Sequence, residues 1–174
     1  MQEQRYNDVA IALHWLIGAI IAVAFGLGLS VDLFPRTWDA AVVNTHVLLG
    51  MSVLVLTLVR LWWRLSRGVP AFPPQMSPGL SRMARLGHGA LYVMMLVVPV
   101  IGMPTLFFRG KGIDFGVFQL GPYLARDPSI FRPLTELHEL ASYGLVLLAL
   151  GHAAAAIYHH HVLKDRLLER MGLG

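Results

Sequence analysis

The sequence predicts an all-α membrane protein, a four-transmembrane-helix up-down bundle. Two observations carry this. The chain of 174 residues is 56% hydrophobic and only 14% charged, with a mean hydropathy of +0.60, which is too apolar for an ordinary soluble domain of this size. Four apolar stretches, 9–33, 40–62, 84–108 and 134–158, are each long enough to cross a hydrocarbon core of about 30 Å. One domain over 1–174 is expected, with no second core.

The first stretch follows a polar run ending in Asn7 and Asp8, either of which can cap a helix N-terminus. It is longer than a signal-peptide core, lacks a small-residue cleavage site after it and carries His14, so it reads as retained. His14 lies about a turn and a half inside, beside the interfacial residue Trp15, and Gly18 follows four residues later on the same face. Glycine there lets helices pack closely or lets a flat ligand approach the backbone. A short link with Pro35 leads to the second stretch, where His46 and Gly50 repeat the spacing. That stretch leaves through Arg60 and Arg64, one turn apart, which can snorkel as topology anchors or hold carboxylates.

A proline-rich connection over 68–79 reads as extended. The third stretch carries His88 near one end and Pro99 in mid-span, where a kink opens space for a ligand. The connection over 109–133 has no clear helical or strand period and is expected to cover one end of the bundle. The fourth stretch holds His138 and His152, fourteen residues apart; that is close to four helical turns, so both leave one face about 21 Å apart along the axis. His159, His160 and His161 close it, before an amphipathic tail.

Of the fourteen basic residues nine lie on one side of the membrane if the N-terminus is cytoplasmic: Arg5, Arg60, Arg64, Arg67, Arg82, Arg85, Lys164, Arg166 and Arg170. The positive-inside rule then places both termini in the cytoplasm. These cations flank spans, so nucleic acid is not expected as a partner; membrane lipid is.

Sorted by depth, the buried histidines form two tiers, His46 and His138 near one end, His14, His88 and His152 near the other. A lone apolar-face histidine is more often a core residue than a ligand, but ionisable groups inside membranes are costly and mark functional sites. Five in two tiers supply the four ligands of two bis-histidine haem b groups, since imidazole suits iron and bundles build cofactor sites on facing helices. Zinc fits less well, because no thiolate or carboxylate sits at either depth. The absence of cysteine excludes disulfides, iron–sulfur ligation and covalent haem attachment. Bis-histidine iron has no open position for oxygen, so the expected role is electron transfer across the bilayer.

Arg5 with His14 and Trp15, His46 with Gly50, the run Arg60 to Arg64, His88 with Tyr92, Pro99 and Gly102, and the His138 and His152 pair together resemble the bacterial cytochrome b561 family over nearly the whole chain. The resemblance implies an inner haem between His14 and His152, an outer haem between His46 and His138, and His88 left near a propionate or the inner pocket. It also implies a bacterial inner-membrane location and, for a chain of this length, a superoxide oxidase that takes electrons from superoxide outside and reduces ubiquinone. Arg109, Lys111, Arg126 and Arg132 of the long connection are then candidates for steering superoxide, unless they pair with Asp114, Asp127 or lipid phosphates. Tyr158 and His159, with Arg60 and Arg64, are candidates for the quinone site, unless the histidines merely snorkel. The rival expectations are an electron-transfer subunit docking a dehydrogenase or hydrogenase, a redox protein partner, and a haem-free membrane scaffold.

Overall fold

The structure, a computed structural model, describes residues 5–73 and 76–173. Positions 74 and 75 of the proline-rich connection, the first four residues of the polar run and the final glycine lie outside the described residues.

Four helices make an all-α, up-down transmembrane bundle: α1 Asp8–Ser30, α2 Asp39–Arg67, α3 Pro78–Phe108 and α4 Pro128–His161. Asn7 caps α1, its Oδ1 accepting from the Ala10 amide at 2.8 Å; the same oxygen accepts from Trp63 Nε1 of α2 at 3.0 Å. α3 and α4 each begin six residues before the apolar stretch that announces them. Both early starts share a signal, a capping side chain followed by proline at the first helical position: Ser77 accepts from Leu80, and Asp127 from Ser129. There proline loses no hydrogen bond and its fixed φ suits the helix. Hydrogen bonds from the Ser129 hydroxyl and amide hold the Asp127 carboxyl below the usual carboxylate range, so the cap is charged.

α1 packs mainly on α2 and α3 on α4, and α2 against α3 joins the two hairpins. The buried core is one thin layer, Ile17, Val53, Met95, Val98 and Leu145, drawn from all four helices. Leu145 lies seven residues from both His138 and His152, so it sits midway, about 10 Å along the axis from either tier, while Ile17 and Val98 reach toward the tiers themselves. In the most apolar window of each helix only 6–22% of residues are buried against protein. For a soluble fold that exposure would be prohibitive; in a bilayer it is the lipid-facing surface.

Two connections depart from expectation. Within 109–127, β1 Ile113–Asp114 pairs antiparallel with β2 Gln119–Leu120, strands too short to register as an alternation. Asn44 of α2 clamps the hairpin like an added strand, donating from Nδ2 to the Asp114 carbonyl at 2.8 Å and accepting the Asp114 amide at 2.9 Å, and Ile113 beneath it is only 1% exposed. At the opposite end, positive φ at Lys164 and Arg166 turns the tail back under the bundle. There the Tyr6 amide donates to the Arg170 carbonyl at 3.1 Å, and Trp15 Nε1 to the Met171 carbonyl at 3.0 Å. Both described ends of the chain therefore meet at one end of the bundle, opposite the hairpin.

Candidate functional site: paired histidines at two depths

At the hairpin end, α2 and α4 bring His46 and His138 together with ring centroids 5.9 Å apart and planes at 85°. Two imidazoles sharing one metal through bonds of about 2.0 Å each have centroids roughly 6 Å apart, so the spacing suits a shared iron. The orientation suits it too. His46 Nδ1 lies 2.8 Å from the Ala24 carbonyl of α1, and His138 Nδ1 lies 3.0 Å from the Val98 carbonyl of α3. A carbonyl only accepts, so each Nδ1 carries the proton and each Nε2 offers a lone pair.

The device that aims the rings is the same on both sides. Four residues after each accepting carbonyl stands a glycine, Gly28 or Gly102, against the imidazole. A Cβ at Gly102 would come 3.0 Å from His138 Cε1 and 3.2 Å from Nδ1; at Gly28 it would come 3.3 Å from His46 Cε1. The sequence signal for these positions was a glycine four residues after a backbone acceptor on the neighbouring helix, which becomes visible only once the helices are docked. Gly18 and Gly50, which follow histidines on their own helices, have no protein atom within 4 Å of a Cβ built there, so tight helix packing does not explain them.

His46 and His138 border a cavity of about 530 Å3 reached by all four helices, with Gly50, Pro99 and Gly102 in its wall. That volume is typical of a cofactor pocket. Asp32, Arg109 and Glu139 are its charged lining residues. Arg109 donates from Nη2 to Thr135 Oγ1 at 3.2 Å and lies over the Phe131 ring, while its buried Nε has no hydrogen-bond partner. Arg126 lies over the same ring; Lys111 and Arg132 are exposed. Among the described residues neither Asp114 nor Asp127 pairs with these cations. Asp114 instead binds the Gly116 amide and Gln119.

At the other end His14 and His152 lie 6.1 Å apart with planes at 77°, whereas His88 stands 5.2 Å from His152. The first spacing suits a shared iron and the second is short for one. Among the described residues none of these three rings has a hydrogen bond. Arg60 donates from Nε to Tyr92 Oη at 3.1 Å and from Nη1 to the Ala10 carbonyl at 3.0 Å, one turn before His14, tying three helices together. Arg64 lies over the Tyr92 ring. His159 is hydrogen-bonded to Asp165 of the returning tail, Tyr158 is 52% exposed, and the buried Nδ1 of His160 has no partner.

The residues present therefore fit haem, with aimed ring pairs, glycine-lined space and guanidinium groups near each pair for propionate carboxylates. Comparison with known proteins agrees. The model of the family described as prokaryotic cytochrome b561 matches residues 5–174. The chain is 36% identical to a protein named cytochrome b562 from Cereibacter sphaeroides, covering 98% of this chain and 96% of the relative. It is 29% identical to a protein named probable superoxide oxidase from Yersinia pestis, covering 97% and 96%, and 29% identical to cytochrome b561 homolog 1 of Escherichia coli, covering 96% of each. The chain belongs to the prokaryotic cytochrome b561 family, multi-pass membrane proteins that bind haem b and transfer electrons.

Proposed function

We propose that the chain works as one di-haem b domain in a bacterial inner membrane, with the hairpin outside and both termini cytoplasmic, oxidising superoxide outside and reducing ubiquinone. The observation that carries this reading is the two histidine pairs, each spaced for one iron, at depths about 21 Å apart in a core of about 30 Å. His46 with His138, and His14 with His152, would hold the haems, which when bound would supply one-electron chemistry. Two superoxide anions would give two electrons and leave as oxygen; one quinone would take those two electrons with two protons from the cytoplasmic side.

The chain's own residues handle the anion and the protons. Arg109, with its free Nε at the cavity wall, would hold superoxide against the His46 and His138 site, while Arg126 shares the Phe131 platform. Attraction is local rather than global. Counting Arg36, this end has five cations against the six carboxylates of Asp32, Asp39, Asp114, Asp127, Glu136 and Glu139, so focusing is confined to the Arg109 edge. At the cytoplasmic end Tyr158 and His159 would face quinone, with Asp165 orienting the His159 ring so that it can pass a proton. The relative named probable superoxide oxidase, aligned end to end, supports the substrate.

A second reading, an electron-transfer subunit for a partner enzyme, is favoured by the hairpin tip, where Val117 is 89% and Phe118 56% exposed. A haem-free scaffold does not accord with membership of this family. Purified protein in nanodiscs separates the two live readings: superoxide alone should reduce ubiquinone catalytically, and intact haems without such turnover would refute the stand-alone enzyme.

A further inference from the structure

We infer that the end of α2 and the start of α3 form a binding site for an anionic phospholipid, whose headgroup phosphate is held by Arg67 of α2 with Arg82 and Arg85 of α3. The sequence isolates this surface by charge. No aspartate or glutamate occurs from residue 40 to 113, a stretch that includes Arg60, Arg64, Arg67, Arg82 and Arg85. The surface therefore has no carboxylate of its own, and the carboxylates nearer the chain ends are engaged elsewhere. Asp8 pairs with Arg5, Asp165 with His159 and Glu169 with Arg166.

Aromatic rings hold the guanidinium groups instead. Arg67 lies 5.2 Å from the centroid of Trp63, Arg85 lies 5.6 Å from that of Phe72 in the connection, and Arg64 lies 5.8 Å from that of Tyr92 on α3. Stacking fixes the plane of a guanidinium and leaves the N–H groups on its edge to point at an acceptor. Among the described residues Arg67, Arg82 and Arg85 make no hydrogen bond or ion pair, and all three are exposed. Oriented, unpaired forks of this kind suit a phosphate.

The ligand needs apolar chains as well as charge. Interleaved with the arginines stand Trp62, Leu65, Met83 and Leu86, each between 63% and 78% exposed. Beside a bilayer these are where acyl chains lie, while the arginines snorkel to the phosphates. A free phosphate engages only the cations, whereas a phospholipid engages both sets of side chains. The location also matters to the fold. Packing of α2 against α3 joins the two helical hairpins, so a headgroup gripped from both helices staples that junction.

Native mass spectrometry of the full-length haem-loaded protein in detergent tests this, with phosphatidylglycerol or phosphatidylcholine of identical chains added. One arginine near a membrane surface is worth roughly fivefold in affinity for anionic lipid. The wild type should therefore retain phosphatidylglycerol at least about tenfold better, and only that lipid should raise the unfolding temperature. The triple variant Arg67→Gln, Arg82→Gln, Arg85→Gln should lose both the preference and the stabilisation, with its Soret absorption unchanged. Should the triple variant fail to fold, Arg82→Gln and Arg85→Gln singly should each lower the preference roughly fivefold. Arg166→Gln, at the same end of the bundle but paired with Glu169, should leave the preference intact. Equal retention of the two lipids by the wild type, or an equal loss in Arg166→Gln, would overturn the inference. Displacement of the lipid by inorganic phosphate would assign the site to a free anion and overturn it as well.

Discussion

Replacing Asn44 with alanine should loosen the hairpin at the His46 and His138 end of the bundle without touching either histidine. The side chain makes two hydrogen bonds to the Asp114 backbone, at 2.8 and 2.9 Å, and no other side chain holds that strand to α2 by a hydrogen bond among the described residues. Net hydrogen bonds contribute about 0.5–1.5 kcal/mol each. These two are partly exposed, so the lower half of that range applies, and losing both should cost about 1–2 kcal/mol of local stability. Local opening should then rise roughly 5- to 30-fold. Because Ile113 beneath is almost wholly buried, its apolar packing should keep the hairpin attached, and the effect should stay local. Hydrogen exchange by mass spectrometry in nanodiscs reads this directly: peptides over 111–121 should exchange faster by that factor, while peptides from the middle of α2 and α4 are unchanged. Equal exchange in wild type and Asn44→Ala would show that Ile113, not the clamp, secures the loop. Acceleration spreading through the bundle would refute local opening.

Three further outcomes follow from the site. His138→Leu should lower haem content from two to one per chain, and His14→Leu should do the same while His88→Leu retains both, because 6.1 Å and not 5.2 Å suits a shared iron; pyridine haemochrome assay against protein mass checks each. Arg109→Gln should slow superoxide turnover roughly tenfold, with only weak salt dependence in the wild type since this end carries no net positive charge; a steep salt slope over a Debye length of about 10 Å at 0.1 M would instead restore long-range steering by Lys111, Arg126 and Arg132. Asp165→Asn should impair quinone reduction about as much as His159→Ala, with haem content and haem reduction by superoxide unchanged, and normal quinone turnover in both variants would move the quinone site elsewhere.

The depth of each histidine was legible because helical rise converts sequence position into height, and the hydropathy of the four stretches settled that the elements were membrane helices. What the sequence did not disclose were relations between helices. The glycines that touch imidazoles, Gly28 and Gly102, belong to α1 and α3 while the rings belong to α2 and α4. Such a contact depends on axial register, which periodicity within one helix does not encode. Asn44 was equally invisible, since a polar residue near a helix end has many ordinary uses until a strand lies opposite. The helix starts at Pro78 and Pro128 were present in the sequence as Ser-Pro and Asp-Pro, but hydropathy outweighed them because those first turns stand outside the apolar stretch.

In the di-haem reading proposed above, the apolar layer of Ile17, Val53, Met95, Val98 and Leu145 would make the membrane voltage a participant in the chemistry. Its five side chains are apolar and offer water no hydrogen-bond partner, so on that reading much of the electrical potential across the bilayer would fall between the two histidine tiers. An electron moving about 21 Å through a core of about 30 Å crosses roughly 0.7 of that field. At about 2.3 kcal/mol per charge for each 100 mV, a change of 100 mV shifts the distribution of electrons between the tiers by about 1.6 kcal/mol, more than tenfold. On that reading, a cell that energises its membrane would change where electrons rest in this protein without any ligand binding to it.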